Sequence, residues 1–388
     1  MNYLGRHRML DPVLLLSELI AFNSVTPNEA GSMDWLIKHL EDMGLTCTPL
    51  DFSTKPGVPT RNLYAYTSSA LPNLCFAGHL DVVPPGDSKL WEYNPFAGIV
   101  VNNMVHGRGA VDMKGAIACF LAALSKFLND SNNLAGSISF LITADEEGDG
   151  KNGTVRVVEY LKQHKIALTD CLIGEPTSVD TIADMIKIGR RGSITFTLTV
   201  TGKQGHVAYP ELAENPINLL LSILDKLKSV VIDDGYENFQ PSHLEITSVD
   251  VGNLVSNIIP QQAQAKFNIR FNPAHNSSSL VTLINSFCSQ VCSSYELDYA
   301  CGSQPFLSDK GNLYTSVMKA IKQITRVEAE VSTSGGTSDA RFIKNLCPVV
   351  ELGLSHKLAH HVDEAVTIDD IYKLTDIYYH TLMLYFKQ

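Results

Sequence analysis

The sequence contains no apolar run that approaches the ~20 residues a helix needs to span a membrane. It also lacks a basic excess, because 30 Lys and Arg are outnumbered by 41 Asp and Glu, for a net charge of -11. An acidic chain does not present the basic surface that nucleic acids require. We therefore expect neither a membrane segment nor a nucleic-acid partner.

The sequence also shows neither the pattern of an export signal nor that of a disulfide framework. The short run Leu14-Leu15-Leu16 has acidic Asp11 and Glu18 near it, so it predicts an amphipathic helix and not a signal peptide. The eight cysteines are scattered and mostly lie in apolar runs, which is typical of buried free thiols. These features make the cytoplasm the expected compartment.

The motifs of nucleophilic and nucleotide-binding enzymes are missing too. The chain has no Gly-x-Ser-x-Gly turn for a nucleophilic serine, no catalytic cysteine signature and no phosphate-binding Walker loop. The segment Gly107-Arg108-Gly109 lacks the third glycine of a dinucleotide fingerprint. Covalent acyl transfer and nucleotide chemistry are therefore not expected.

The length of 388 residues favours two domains, and the hydrophobic patterns divide the chain accordingly. From Leu63 to Ile173, short apolar strands alternate with helical segments, which predicts an α/β layer with a mostly parallel central sheet. Later, period-two strands such as Ser193–Thr201 and the amphipathic helix Pro216–Lys228 predict a small α+β open sandwich. We therefore predict a discontinuous catalytic domain, 1–178 and 295–388, with a domain inserted at 179–294.

Five clusters of acidic and histidine residues follow predicted strands or open a helix. Taken alone, each has a structural explanation: a chance histidine at a strand end, a helix cap, or a solvated acidic loop. The clusters are His79 with Asp81, then Asp112, Asp145-Glu146-Glu147, Glu175, and His360-His361 with Asp363 and Glu364.

The clusters gain meaning from their common placement. Ligands of open α/β sheets bind beyond the carboxyl ends of the strands, and four of these five clusters lie at or just after such ends. Two histidines and several carboxylates, without a thiolate, suit two zinc ions with an open position for water. The residues alone thus predict a metal-dependent hydrolytic site.

The motifs resemble those of the di-zinc aminoacylase and carboxypeptidase family over nearly the whole chain. The resemblance implies an α/β, zinc-peptidase-like catalytic domain and an inserted α+β open-sandwich domain that forms homodimers. The family-level motifs are Gly78-His79-x-Asp81, Gly107-Arg108-Gly109-x-x-Asp112-Met113-Lys114-Gly115, Asp145-Glu146-Glu147-Gly148 and Gly174-Glu175-Pro176.

The same resemblance implies a role for each matching residue. It implies one zinc held by His79 and Glu175, another held by Glu147 and His360, and a bridging Asp112, with Co²⁺ able to substitute. Asp81 would orient His79, and Glu146 would be the general base. His360 is preferred to His361 as the ligand because the family pattern places the ligand three residues before Asp363.

A second group of motifs resembles the branch of this family that removes succinyl groups from diamino acids. It implies that His206, contributed by the partner chain, stabilises the oxyanion, and that the substrate is a small molecule. The motifs are Gly189-Arg190-Arg191-Gly192-Ser193, Gln204-Gly205-His206-Val207-Ala208-Tyr209-Pro210, Asn257-Ile258-Ile259-Pro260 and Ser334-Gly335-Gly336-Thr337-Ser338-Asp339. The candidate substrate contacts are Arg190, Arg191, Asn257, Arg270, Gly336 and Thr337. Arginine pairs bidentately with carboxylates, and a surface ion pair is the structural alternative for each arginine.

Two alternatives stay open. His356 occupies a position where this branch carries an asparagine, so a related N-acyl-amino-acid deacylase or peptidase of the same family is the nearest one. A non-catalytic binding protein is the other, but it should have lost a metal ligand or Glu146, and all are present.

Overall fold

The computed structural model describes residues 9–53, 59–131 and 134–387. Its helices are α1 Pro12–Ala21, α2 Ser32–Asp42, α3 Lys114–Asp130, α4 Thr154–Gln163, α5 Pro216–Lys228, α6 Ser277–Ser289, α7 Asn312–Thr325, α8 Ala340–Ile343 and α9 Ile368–Tyr385. Among these described residues, no helix has the length and apolar character that crossing a membrane requires.

The strands are numbered in chain order. They are β1 Thr46–Phe52, β2 Thr60–Tyr66, β3 Asn73–His79, β4 Ile99–Val101, β5 Met104–His106, β6 Ser137–Thr143, β7 Asp170–Ile173, β8 Met185–Lys187, β9 Gly189–Arg190, β10 Gly192–Thr201, β11 Gly205–His206, β12 His243–Asp250, β13 Ile258–Ile259, β14 Gln262–Phe271, β15 Tyr295–Ser303, β16 Phe306–Leu307, β17 Glu330–Ser332, β18 Val349–Glu351 and β19 Ala365–Thr367.

The chain forms two compact units. The larger unit contains the residues up to Ile188, the segment Ser308–Ser332 and the residues from Ser338 onward. Its sheet has the order β1-β2-β6-β3-β7-β18-β8-β17, and β6, β3, β7 and β18 are parallel neighbours. This confirms the predicted α/β class with a mostly parallel central sheet.

The core of the larger unit covers both faces of its central parallel strands. Every residue of β6 is buried, as expected for a strand covered on both faces. The helix α3 is apolar over most of its surface, and it packs against α1 and α9. The rings of Phe76 on β3 and Phe120 on α3 stack at 4.1 Å between centroids. This packing holds the carboxyl ends of β3, β6 and β7 at one edge of the sheet.

The smaller unit contains Gly189–Leu307 and Thr333–Thr337. Its antiparallel sheet has the order β12-β14-β10-β15, with α5 and α6 packed against one face. Alternate residues of β10 and β14, such as Phe196 and Phe267, point into that core, which explains the period-two pattern of the sequence. The architecture is the predicted open sandwich.

The compact units divide the chain later than the predicted boundaries of the inserted segment at both ends. The first boundary lies at Ile188 and not at 178, because β8 pairs with β17 and β18 in the large sheet. The second lies at Leu307 and not at 294, because β15 pairs with β10 along its length. In addition, Thr333–Thr337 returns to the smaller unit.

Candidate metal centre and substrate contacts

The predicted ligands of the larger unit lie at one edge of its sheet. His79 is the last residue of β3, Asp145-Glu146-Glu147 follows β6, and Glu175 follows β7. Since these strands are parallel neighbours, their carboxyl ends meet. The structure therefore brings together side chains that the sequence separates widely.

Asp112 lies between two imidazoles. Its Oδ1 is 3.3 Å from Nε2 of His79, and its Oδ2 is 3.2 Å from Nε2 of His360. The alternative reading of Asp112 as a helix cap is wrong, because α3 begins at Lys114 and has Met113 at its N-cap position. One carboxylate facing two imidazoles is the arrangement expected of a bridging ligand.

The other carboxylates complete two sets of potential ligands. Oε1 of Glu147 is 2.8 Å from Nε2 of His360, and Oε1 of Glu175 is 3.9 Å from Nε2 of His79. Ligand atoms lie within 4.8 Å of one another in the set His79, Asp112 and Glu147, and again in the set His79, Glu146 and Glu175.

The ring of His79 is oriented differently from the prediction. Its Nδ1 lies 2.9 Å from the backbone carbonyl oxygen of Asp81, whereas the Asp81 carboxylate is 3.7 Å away. That carboxylate accepts hydrogen bonds from the backbone N–H groups of Glu146, at 3.3 Å, and Glu147, at 3.0 Å. Asp81 thus orients His79 through its main chain, and its side chain shapes the acidic loop.

The electrostatics of this edge favour cations. Burial and the neighbouring Glu175 carboxylate raise the pKa of Glu146 well above its usual range. Hydrogen bonds to Asp112 and Glu147 raise the pKa of His360 to about 10. Nε2 of His79 and Oδ1 of Asp112 are buried without a hydrogen-bond partner among the described residues. Metal ions would satisfy these atoms and offset the repulsion among the carboxylates.

Two buried residues beside this centre have no role among the predictions from the sequence. Arg108 and Glu364 form an ion pair, with Nη1 of Arg108 2.7 Å from Oε2 of Glu364. Both lie inside motifs, and the available signal was one charged residue in each: Arg108 between two glycines, and Glu364 directly after Asp363. Their partners could not be identified because the two residues are 256 positions apart in the chain.

The predicted substrate contacts belong to the smaller unit, where they form separate groups. Arg190 is buried and donates from Nη1 to the carbonyl oxygen of Gly336 at 3.0 Å. Arg191 approaches His243, with 3.1 Å between Nη1 and Nδ1. Burial and the nearby Arg270 lower the pKa of Arg191, and burial lowers that of Arg270. Two partly buried guanidinium groups near one another would be stabilised by an anion.

His206 and Asn257 lie on paired segments of the smaller unit. His206 on β11 is opposite Ile258 on β13, and Val207 N–H donates to the carbonyl oxygen of Asn257 at 3.0 Å. Nδ1 of His206 accepts from Ala208 N–H at 3.0 Å, so a neutral ring carries its proton on Nε2. The exposed imidazole therefore presents an N–H donor. Thr337 ends the returning segment Thr333–Thr337.

Comparison with known proteins agrees with this geometry. The profile of peptidase family M20/M25/M40 matches residues 75–384. The chain is 50% identical over 379 residues to succinyl-diaminopimelate desuccinylase of Ehrlichia canis (strain Jake), covering 97% of this chain and 99% of the relative. It is 45% identical to the protein of the same name from Wolbachia pipientis wMel, covering 97% and 94%.

Solved structures show the same fold. An M20 family metallo-carboxypeptidase from Sulfolobus solfataricus superposes with a TM-score of 0.79 at 19% identity, covering 98% of this chain and all of the other. A dinuclear metal-binding peptidase of the M20 family from Bacillus subtilis gives a TM-score of 0.69 at 14% identity, with 96% of each chain covered. The fold and the matched residues lead to one conclusion: this chain belongs to peptidase family M20/M25/M40.

Proposed function

We propose that this chain is a metal-dependent amidohydrolase that converts N-succinyl-LL-2,6-diaminopimelate and water to succinate and LL-2,6-diaminopimelate. The observation that carries the proposal is the complete ligand cluster at one sheet edge, in a chain so similar to relatives named as desuccinylases. All residues of the cluster come from the larger unit, which is the proposed catalytic domain.

The residues of the cluster fit two metal ions of the zinc type. His79 and Glu175 would hold one ion, Glu147 and His360 the other, and Asp112 would serve both. Imidazole and carboxylate ligands without a thiolate suit zinc, and Co²⁺ shares this preference closely enough to replace it. When bound, such metals polarise an amide carbonyl and make a water acidic near neutral pH.

Glu146 is the proposed general base and acid. It shares the edge with His79 and Glu175, while its neighbour Glu147 contacts His360 directly. In this role, the carboxylate of Glu146 accepts a proton from the attacking water and later delivers it to the departing amine. The bonds of the Asp81 carboxylate to this loop would hold Glu146 in place.

The cationic groups of the smaller unit are the proposed contacts for substrate carboxylates. N-Succinyl-diaminopimelate carries several carboxylates, and arginine pairs with such groups bidentately. Support comes from the two partly buried guanidinium groups of Arg191 and Arg270. Arg190, Asn257, Gly336 and Thr337 complete the proposed set.

We also propose that the chain forms a homodimer through its smaller unit. Near His206, large apolar side chains are exposed to the extent of 51% for Val207, 57% for Tyr209 and 64% for Leu212. Clustered apolar side chains of this size favour burial against another surface. A second copy would cover them and place the Nε2–H donor of His206 at the partner's reaction centre. The eight free thiols fit the proposed cytoplasmic location.

Succinate release tests the proposal directly. The full chain, freed of metal by a chelator and reloaded with Zn²⁺, should release succinate from N-succinyl-LL-2,6-diaminopimelate and lose that activity on renewed chelation. N-Acetylornithine, which offers an acetyl group instead, serves as the matched control substrate. If acetate were released from N-acetylornithine faster than succinate from the succinylated compound, the proposed substrate would be wrong. Full activity without metal would overturn the mechanism.

A further inference from the structure

A buried ion pair joins the two loops that carry Asp112 and His360. The side chains of Arg108 and Glu364 are 3% and 0% exposed, and their closest atoms are 2.7 Å apart. A buried pair of this kind is weak evidence for a stabilising role, because desolvation offsets much of the attraction. The hydrogen bonds that Arg108 and Glu364 make to the surrounding backbone indicate a second role for this pair.

Glu364 holds the loop that ends at Asp112. Its Oε2 accepts from the backbone N–H of Gly109 at 3.0 Å, and its Oε1 accepts from Val111 at 2.8 Å and from Asp112 at 3.3 Å. Two of these bonds go to the backbone of Asp112, which carries the proposed bridging carboxylate, and of Val111 just before it. A displacement of Glu364 would therefore displace Asp112.

Arg108 holds the loop of the other ligand. Its Nη1 donates to the carbonyl oxygen of His361 at 3.1 Å, and its Nη2 donates to that of His360 at 3.3 Å. The guanidinium group also lies 5.1 Å from the ring centroid of Trp91. The planar fork of arginine permits these bonds at once, which a lysine ammonium group cannot reproduce.

The loop of His360 needs such restraint. His360 has a φ of 65° and Asp363 a φ of 59°, in the left-handed region that non-glycine residues adopt uncommonly and at some cost in free energy. One further contact comes from Asp363, whose Oδ1 accepts from the N–H of Glu92 at 2.7 Å. The bonds that Arg108 makes to the carbonyl oxygens of His360 and His361, and its ion pair with Glu364, restrain the same loop.

We propose that Arg108 and Glu364 are positioning residues that set the separation between the Asp112 carboxylate and the His360 imidazole, and thereby the affinity for the metal these two share. Neither residue touches a reacting atom. The inference rests on the metal-dependent function proposed above, but it concerns metal affinity, which is measured without substrate.

Two substitutions separate the contributions. Arg108→Lys keeps the positive charge opposite Glu364 but removes the fork that holds the His360 loop, so it should weaken one metal position and spare the other. Glu364→Gln places amide hydrogens against backbone N–H donors, so Asp112 should shift and both positions should weaken. Substitution of residues that orient metal ligands commonly lowers metal affinity by about 10–100-fold, and we expect losses in this range.

The experiment is a Zn²⁺ titration of the metal-free full chain against a chromophoric chelator, with Co²⁺ absorption spectra as a second readout. The matched control is Tyr385→Phe, which removes a buried hydrogen bond of 2.8 Å to Asp170 at the amino end of β7, away from the ligands. Thermal unfolding would show that each variant is folded.

The expected result is one tight and one weakened position in Arg108→Lys, an altered Co²⁺ spectrum, and two unchanged positions in Tyr385→Phe. Unchanged affinities in a folded Arg108→Lys chain, or equal losses in the control, would overturn the proposal. If Glu364→Gln does not fold, Arg108→Lys decides alone. A chain that binds two metals but releases no succinate would contradict the proposed function and leave this inference standing.

Discussion

The two units of this chain arrange their charged residues in opposite ways. At one sheet edge of the larger unit, four carboxylates gather around two imidazoles: Asp112, Glu146, Glu147 and Glu175 with His79 and His360. In the smaller unit, Arg191 lies beside Arg270 and His243. The first group would be stabilised by bound cations, and the second by a bound anion.

This contrast shows why the net charge of -11 says little about the site. Each group is costly without its counter-ion, since like charges in a partly buried place repel one another. The larger unit would meet this cost with metal ions, and the smaller unit with the carboxylates of a substrate. Substitutions in the larger unit should then impair metal binding or catalysis, whereas substitutions in the smaller unit should impair substrate binding.

The largest effect is expected in the larger unit, from Glu146→Ala. Loss of a positioned proton-transfer group lowers turnover by roughly 10²–10⁴-fold, and both metals should remain bound because Glu146 is not a proposed ligand. Succinate release and elemental analysis measure the two quantities on one sample.

Glu147→Ala is the matched comparison for that prediction. It removes the 2.8 Å contact to His360, so it should release metal as well as activity. If Glu146→Ala lost a metal while Glu147→Ala kept both, the roles of the two neighbours would be exchanged.

An intermediate effect is expected in the smaller unit, from Arg270→Ala. A hydrogen bond to a charged group contributes about 1.5–3 kcal/mol, so kcat/KM should fall roughly 10–100-fold with metal content unchanged. Arg156→Ala is the control and should act like the unmodified chain, because it removes an exposed ion pair with Glu159 and a contact with the Phe52 ring, both in the larger unit. An Arg270→Ala chain with normal kcat/KM would contradict the proposal that the smaller unit binds the substrate carboxylates.

The smallest signal is expected from mixed chains, which test whether the two groups meet across a dimer. His206→Ala and Glu146→Ala chains are each expected to be inactive. Random exchange should restore about a quarter of the normal activity, because half the dimers then contain one complete site. Exchange demonstrated by mass, without any recovery of succinate release, would exclude a shared site, as would a fully active monomer.

Local patterns predicted much of the secondary structure. The helix Pro216–Lys228 was predicted at its observed bounds, and the strand Ser193–Thr201 to within one residue, because helical and period-two patterns depend only on near neighbours. The strands that were missed include β1 and β15, each at an edge of its sheet. β1 contains Pro49, and β15 reads YELDYACGS with mostly exposed side chains, so neither shows the pattern of a buried strand.

The sequence by itself determined the types of the proposed ligands and their positions after strands, since His79, Glu147 and Glu175 lie in short motifs at the ends of apolar runs or just after them. Only the tertiary structure decided how they are held. It placed the Asp112 carboxylate between two imidazoles, oriented His79 by the main chain of Asp81, and paired Arg108 with Glu364. Such contacts join residues up to 256 positions apart, and a contact of that kind has no periodic trace in the sequence because packing of the whole sheet creates it.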